Sequence, residues 1–180
     1  PMSIEAKVVA LSHDPFNPEL NFDCANLYLA LDQTASAVSF YLRASEYGAM
    51  THREITYTSL IKVAQCFDKM NDRMLTVSNC LLQAMAYAPH RPEAYFFMSQ
   101  FHERYSQWQE CYTMAKIGLS CASYPELPVD TGYTGAHCLR FQQAVSAWWI
   151  GRKDESIRIF RELHDEDIDP VFHDAVVYNL

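Results

Sequence analysis

Small residues recur along this chain at intervals that match pairs of helices. One set is separated by 39, 35 and 45 residues and consists of Ala25, Ala64, Ser99 and Ala144. A second set is separated by 40, 34 and 45 residues and consists of Ala44, Ala84, Gly118 and, in last place, the larger Leu163. A period near ~34 residues is typical of stacked helical hairpins, in which small residues allow two backbones to approach closely. The sequence therefore predicts a helical repeat protein with a binding groove rather than an active site.

The composition favours an ordered all-helical protein with no nucleic-acid partner. Only five of the 180 residues are Gly, and 49% are hydrophobic. The formal net charge is −8 and the 14 Lys and Arg residues are scattered, so most of the surface would repel nucleic acid.

No apolar run approaches the roughly 20 residues needed to cross a bilayer, and no signal peptide is visible. The six cysteines include no CxxC pair, which indicates a reducing compartment, although an even count leaves disulfides open. We expect a cytoplasmic protein with no membrane partner.

Helical periodicity and turn residues divide the chain into four predicted hairpins and two flanking helices. The predicted hairpins cover residues 18–49, 54–89, 92–121 and 136–169, and the flanking helices cover 3–12 and 170–180. The connection 122–135, which contains two Pro and two Gly, is too irregular for a helix and is either functional or a simple loop. We expect a single domain, with the alternative that the chain is a fragment of a longer polypeptide.

Two segments resemble tetratricopeptide repeats, NFDCANLYLALDQTASAVSFYLRASEYGA and EAYFFMSQFHERYSQWQECYTMAKIGLS. The pattern of this family is present in the first repeat at Cys24-Ala25, Tyr28 and Ala37. It is present in the third repeat at Met98-Ser99, Cys111 and Ala115. His102 departs from it where an aromatic residue or Leu is usual, and Gln143 fills a usually apolar place. The resemblance implies an all-α, right-handed helical-hairpin array, or α-solenoid, of about four repeats plus flanking helices.

A narrower likeness concerns PHRPEAYFFMSQFHERYSQWQECYTMAKIGLS and AWWIGRKDESIRIFREL. These segments are similar to tetratricopeptide segments fused to family 2 glycosyltransferases, where an Asp-x-Asp metal motif lies in a separate α/β domain. Asp167-Ile168-Asp169 has that pattern, but no strand or nucleotide-binding context precedes it, so a solvated acidic loop is favoured. The likeness supplies an alternative function, an accessory module that positions a substrate or partner for a glycosyltransferase.

The first helices of tetratricopeptide arrays line a concave groove, and three amide residues fall at one equivalent place in successive repeats. They are Asn26, Gln65 and Gln100. Amide side chains both donate and accept hydrogen bonds, so such a row is suited to hold an extended peptide by its backbone. The alternative is that exposed positions on first helices are simply polar.

Aromatic residues are predicted to lie in the same groove as anchors for a partner. The candidates are Phe22, Phe96, Phe141 and Trp148, with Trp149 as a further one. The alternative is that some of them belong to the core. Because adjacent Trp side chains cannot both face one side of a helix, we expect one of Trp148 and Trp149 to be buried.

No motif predicts catalysis, a cofactor or a metal site. The sequence has neither a His-x-x-x-His pair nor a Gly-rich phosphate loop, and His164 and His173 beside an acidic stretch suggest adventitious cation binding at most. We expect a non-catalytic scaffold that binds a protein or an extended peptide. A third alternative is self-assembly into homo-oligomers through the terminal helices, because an uncapped last helix exposes apolar surface to a neighbour.

Overall fold

The structure, a computed structural model, describes residues 3–70, 73–121 and 125–180. This part of the chain forms ten α-helices and no strand. The helices are α1 (Ile4–His13), α2 (Pro18–Ala30), α3 (Thr34–Gly48), α4 (Arg53–Lys69), α5 (Met74–Tyr87), α6 (Glu93–Arg104), α7 (Trp108–Leu119), α8 (Ala136–Trp149), α9 (Lys153–His164) and α10 (Pro170–Asn179). Each predicted hairpin contains one pair of these helices, and the two flanking helices are α1 and α10. None of the described helices combines the length and apolar character needed to cross a membrane.

The chain divides into two compact units. Unit 1 comprises Pro1–Pro89 and Pro125–Thr131, and unit 2 comprises His90–Tyr124 and Gly132–Leu180. In unit 1, α1 packs on α2, and each later helix up to α5 packs on the one before it. In unit 2, α6 to α10 pack in the same sequential manner. The single domain expected from the sequence stays a prediction.

Three of the hairpins turn by the same local mechanism. Two residues after the end of each first helix stands a residue with positive φ: Asp32 at 57°, Ser106 at 56° and Gly151 at 85°. The next amide then reaches back five residues, as from Gln33 to the carbonyl of Tyr28 at 2.9 Å. This is the Schellman motif, which satisfies the last carbonyls of a helix and reverses the chain. In the second hairpin the sequence predicts the turn at Asn71-Asp72, and these two residues lie outside the described part of the chain.

The recurring small residues lie where the helices pack. Ala25, Ala64, Ser99 and Ala144 are all buried on first helices, as are Ala44, Ala84, Gly118 and Leu163 on second helices. At Gly118 a Cβ atom would lie only 2.8 Å from Leu139 Cδ2, so a side chain here would force the buried Leu139 to shift. The periodicity therefore marks the packing faces of the hairpins, and the predicted all-α helical-hairpin array is confirmed.

Candidate peptide-binding faces

Asn26, the predicted groove amide on α2, is engaged by its own hairpin. Its side-chain oxygen accepts a hydrogen bond of 2.6 Å from the hydroxyl of Tyr41 on α3. Tyr41 is fully buried, and burial raises the pKa of its phenol, so the hydroxyl remains a donor at neutral pH. The amide of Asn26 therefore joins α2 to α3 through its oxygen.

Gln65, the equivalent residue on α4, contacts the connection between the third and fourth hairpins. Its Nε2 donates to the main-chain carbonyl of Thr131 at 2.7 Å. One turn earlier on the same helix face, Lys62 Nζ donates to the carbonyl of Asp130 at 2.6 Å. Two successive main-chain carbonyls are thus held by side chains of α4. We call residues 125–131 the covering segment.

The covering segment also makes apolar contact with the helices of unit 1. Val129 packs against the core cluster that includes Phe22, Tyr41 and Val63, and Thr131 is buried. Burial lowers the pKa of Lys62, while the nearby Asp130 opposes that shift. The α4 face therefore combines two side-chain donors with an apolar surface, which is the chemistry needed to hold a length of peptide backbone.

Gln100, the third amide residue, lies on α6 in unit 2 and differs from the other two. Its side chain is half-buried, and within the described part of the chain its amide has no hydrogen-bond partner. It therefore remains available as both donor and acceptor. Of the three predicted amides, two are engaged by the chain itself and one is open.

Two of the four predicted groove aromatics are buried in the core, so for them the prediction of exposed anchors is wrong. Phe22 is 4% exposed and Phe96 is 1% exposed. Phe22 lies three residues before Ala25, and Phe96 lies three residues before Ser99, so each shares a helix face with a packing residue. That spacing was the signal in the sequence that places both rings in the core.

Phe141 follows the same spacing before Ala144 and is half-buried. Its ring packs edge-on against Phe160, with centroids 5.7 Å apart, and against Phe172 at 5.5 Å. Most of the ring therefore serves the packing of α8 against α9 and α10, and a contact with a partner stays a prediction.

The two adjacent tryptophans are both exposed, contrary to the expectation that one of them is buried. Trp148 is 42% exposed and Trp149 is 61% exposed. Trp149 stacks on Trp108 with ring centroids 5.2 Å apart, and the amine of Lys153 lies 4.7 Å from the centroid of the Trp148 ring. Trp148 and Trp149 are the last two residues of α8 and lie beyond its packed middle. Both rings are therefore contacted at the surface, by Lys153 and Trp108 respectively.

The thiols and acidic residues offer little reactive chemistry. Burial raises the pKa of all six thiols, that of Cys111 to about 12, so they stay protonated and weakly nucleophilic at neutral pH. In the acidic stretch, Asp169 caps α10 by accepting from the amide of Val171 at 2.9 Å. Within residues 3–70, 73–121 and 125–180, no three His, Cys, Asp or Glu side chains are grouped closely enough to hold a metal ion.

Comparison with known proteins identifies the fold. No protein-family model matches the sequence, and no curated protein sequence matches it. Among solved structures, PilF of Pseudomonas aeruginosa is similar with a TM-score of 0.72 and 9% identity, over 98% of this chain and 72% of that chain. PilW, described as a widely conserved type IV pilus biogenesis factor, is similar with a TM-score of 0.70 and 15% identity, over 96% and 73%.

YrrB, described as a TPR protein with an unusual peptide-binding site, is similar with a TM-score of 0.65 and 12% identity, over 98% and 82%. The narrower likeness to glycosyltransferase-associated segments stays a prediction. The ten helices, the repeated hairpin turns and these structural matches agree, and they show that this chain has the tetratricopeptide-repeat fold.

Proposed function

We propose that this chain is a non-catalytic scaffold that binds a protein or peptide through the faces of its first helices. The observation that carries the proposal is the α4 face, where Lys62 and Gln65 hold two main-chain carbonyls of the covering segment. Main-chain carbonyls are present in every peptide, so a face of this kind suits a short stretch of partner backbone. YrrB, a similar structure described as a TPR protein with an unusual peptide-binding site, supports the same function.

In unit 2 we propose Gln100 and Trp148 as contacts for the partner. Gln100 has an amide that no described residue engages, and Trp148 exposes a large aromatic surface. Buried aromatic anchors supply much of the binding energy at protein interfaces, and amides supply orientation. Unit 2 therefore offers the more accessible contacts, because the corresponding amide in unit 1 already has a partner.

A peptide library displayed on phage and selected on the immobilised chain tests this proposal. We expect enriched peptides that bind the wild-type chain and bind Gln100→Ala about 2- to 10-fold more weakly, the effect of one lost hydrogen bond of about 0.5–1.5 kcal/mol. The matched control is Gln109→Ala, since Gln109 is an exposed residue of the second helix α7 in the same unit. Failure to enrich any peptide, or equal affinity for both variants, would contradict the proposal.

Self-assembly is a second candidate because α10 exposes apolar side chains. Val171, Val177 and Tyr178 are exposed, whereas Val176 on the same helix is buried. A second copy of the chain would bury this surface. Sedimentation of wild type and of Val177→Lys with Tyr178→Lys tests this alternative. A dimer that the double variant abolishes would support it, and a wild-type monomer at high concentration would reject it.

A further inference from the structure

The covering segment has the properties of a ligand of unit 1. It belongs to unit 1 although the residues on both sides of it in the sequence belong to unit 2. Its hydrogen bonds with α4 join residues 66 and 68 positions apart in the chain. A stretch held at such a distance, without helix or strand of its own, is bound to the face much as a separate peptide would be.

The side chains of the segment alternate between buried and exposed, and its backbone bends at residues 128 and 129. Residues 127, 129 and 131 are partly or fully buried, whereas 126, 128 and 130 are exposed. This alternation means that one side of the segment lies against a surface. Pro125 and Pro128 each fix their own φ, and Pro128 also restricts Leu127. The segment is therefore preorganised for this position, which lowers the entropy lost on docking.

The contacts define the kind of peptide that the face accepts. An aliphatic side chain, here Val129, enters the apolar surface beside the core cluster. The carbonyls of the next two residues then meet Lys62 and Gln65. Asp130 itself is exposed, and its carboxylate favours the charged form of Lys62. The required pattern is one aliphatic residue followed by two residues with accessible main-chain carbonyls.

We propose that the α4 face of unit 1 is a peptide-binding site whose resident ligand is the covering segment, and that a partner peptide of the same pattern binds by displacing it. The inference rests on the proposed scaffold function and adds the site, the pattern and the competition. A tethered segment competes at an effective concentration on the order of millimolar. The site is therefore closed to weak ligands and opens to peptides that outcompete the segment.

The test uses a fluorescent peptide of sequence PELPVDT, identical to residues 125–131, and the full chain with these residues replaced by seven Gly and Ser residues. Fluorescence anisotropy should show at least about tenfold tighter binding to the replaced chain than to wild type, since the competing segment is gone. Adding Gln65→Ala to the replaced chain should weaken binding, and a peptide with Asp in place of Val should bind neither protein.

A second variant guards against misfolding of the replaced chain. Val129→Asp keeps the segment and its length but places a charge on the apolar surface, so it should also admit the peptide. The inference is overturned if the peptide binds wild type and both variants equally. It is also overturned if the peptide binds neither variant although the circular dichroism of both variants shows the helix content of wild type. Library peptides that still bind through Gln100 would then leave the scaffold function standing, so the two failures are distinguishable.

Discussion

Gln65 in unit 1 and Gln100 in unit 2 are the same residue type at equivalent places, 35 residues apart in the sequence, yet their hydrogen bonding differs. Gln65 donates to the main chain of Thr131, whereas no described residue engages the amide of Gln100. The repeat pattern decides where each side chain lies on its helix. A connection more than sixty residues away along the chain decides whether that side chain is covered, so equivalent positions in a repeat protein need not have equivalent roles.

The largest effect should come from breaking the packing that both units share. Ala25→Leu would overpack the first hairpin, because Ala25 is fully buried against α3, and should lower the free energy of unfolding by about 1–3 kcal/mol. Chemical denaturation measures this change. Ala35→Leu is the matched control, since Ala35 is exposed on α3. Equal stability of the two variants would show that the recurring small residues do not mark the packing faces.

A smaller effect should separate the two glutamines directly. Gln65→Ala removes a hydrogen bond to the covering segment and should cost about 0.5–1.5 kcal/mol of unfolding free energy. Gln100→Ala removes no hydrogen bond to the described residues and should stay within about 0.5 kcal/mol of wild type. Hydrogen exchange should also show faster exchange in residues 125–131 for the first variant only. Identical stability and exchange in both variants would remove the distinction between the two faces.

The smallest effect concerns the pH dependence of the unfolding free energy and His137, near the start of α8 in unit 2. Burial lowers the pKa of His137, with Asp169 and Glu166 opposing and Arg140 reinforcing the shift. The folded chain then binds this proton less readily than the unfolded chain, so stability falls as pH drops below about 6.5 toward the folded pKa. Urea denaturation from pH 7.5 to 5.5 should show a smaller loss for His137→Asn than for wild type. The same loss in both would mean that His137 does not contribute.

The helices and their packing faces could be predicted from the sequence because they depend on local periodicity. The spacing of Ala25, Ala64, Ser99 and Ala144 marks one side of each first helix, and packing in the hairpins follows from it. The family resemblance assigns Phe22 and Phe96 to a groove, and that prediction fails because both share a helix face with these small residues. The same periodicity places both rings in the core.

The candidate site could be predicted only in part. The type and position of Gln65 followed from the repeat, but its partner did not, because Thr131 lies 66 residues further along the chain in a segment without periodicity. The prediction that one of Trp148 and Trp149 is buried fails for a different reason. Adjacent side chains are divided between core and surface where a helix is packed, but these residues lie in the last turn of α8, where Trp108 and Lys153 contact their rings at the surface.

The most direct test of the central claim is NMR mapping of the side-chain amide signals of the wild-type chain as a library-selected peptide is added. We predict that the signal of Gln100 on the first helix α6 shifts on binding, while that of Gln109 on the second helix α7 does not. The signal of Gln65 should shift only with peptides that displace residues 125–131. Shifts confined to Gln109 and the other exposed residues of second helices would contradict binding through the first-helix faces.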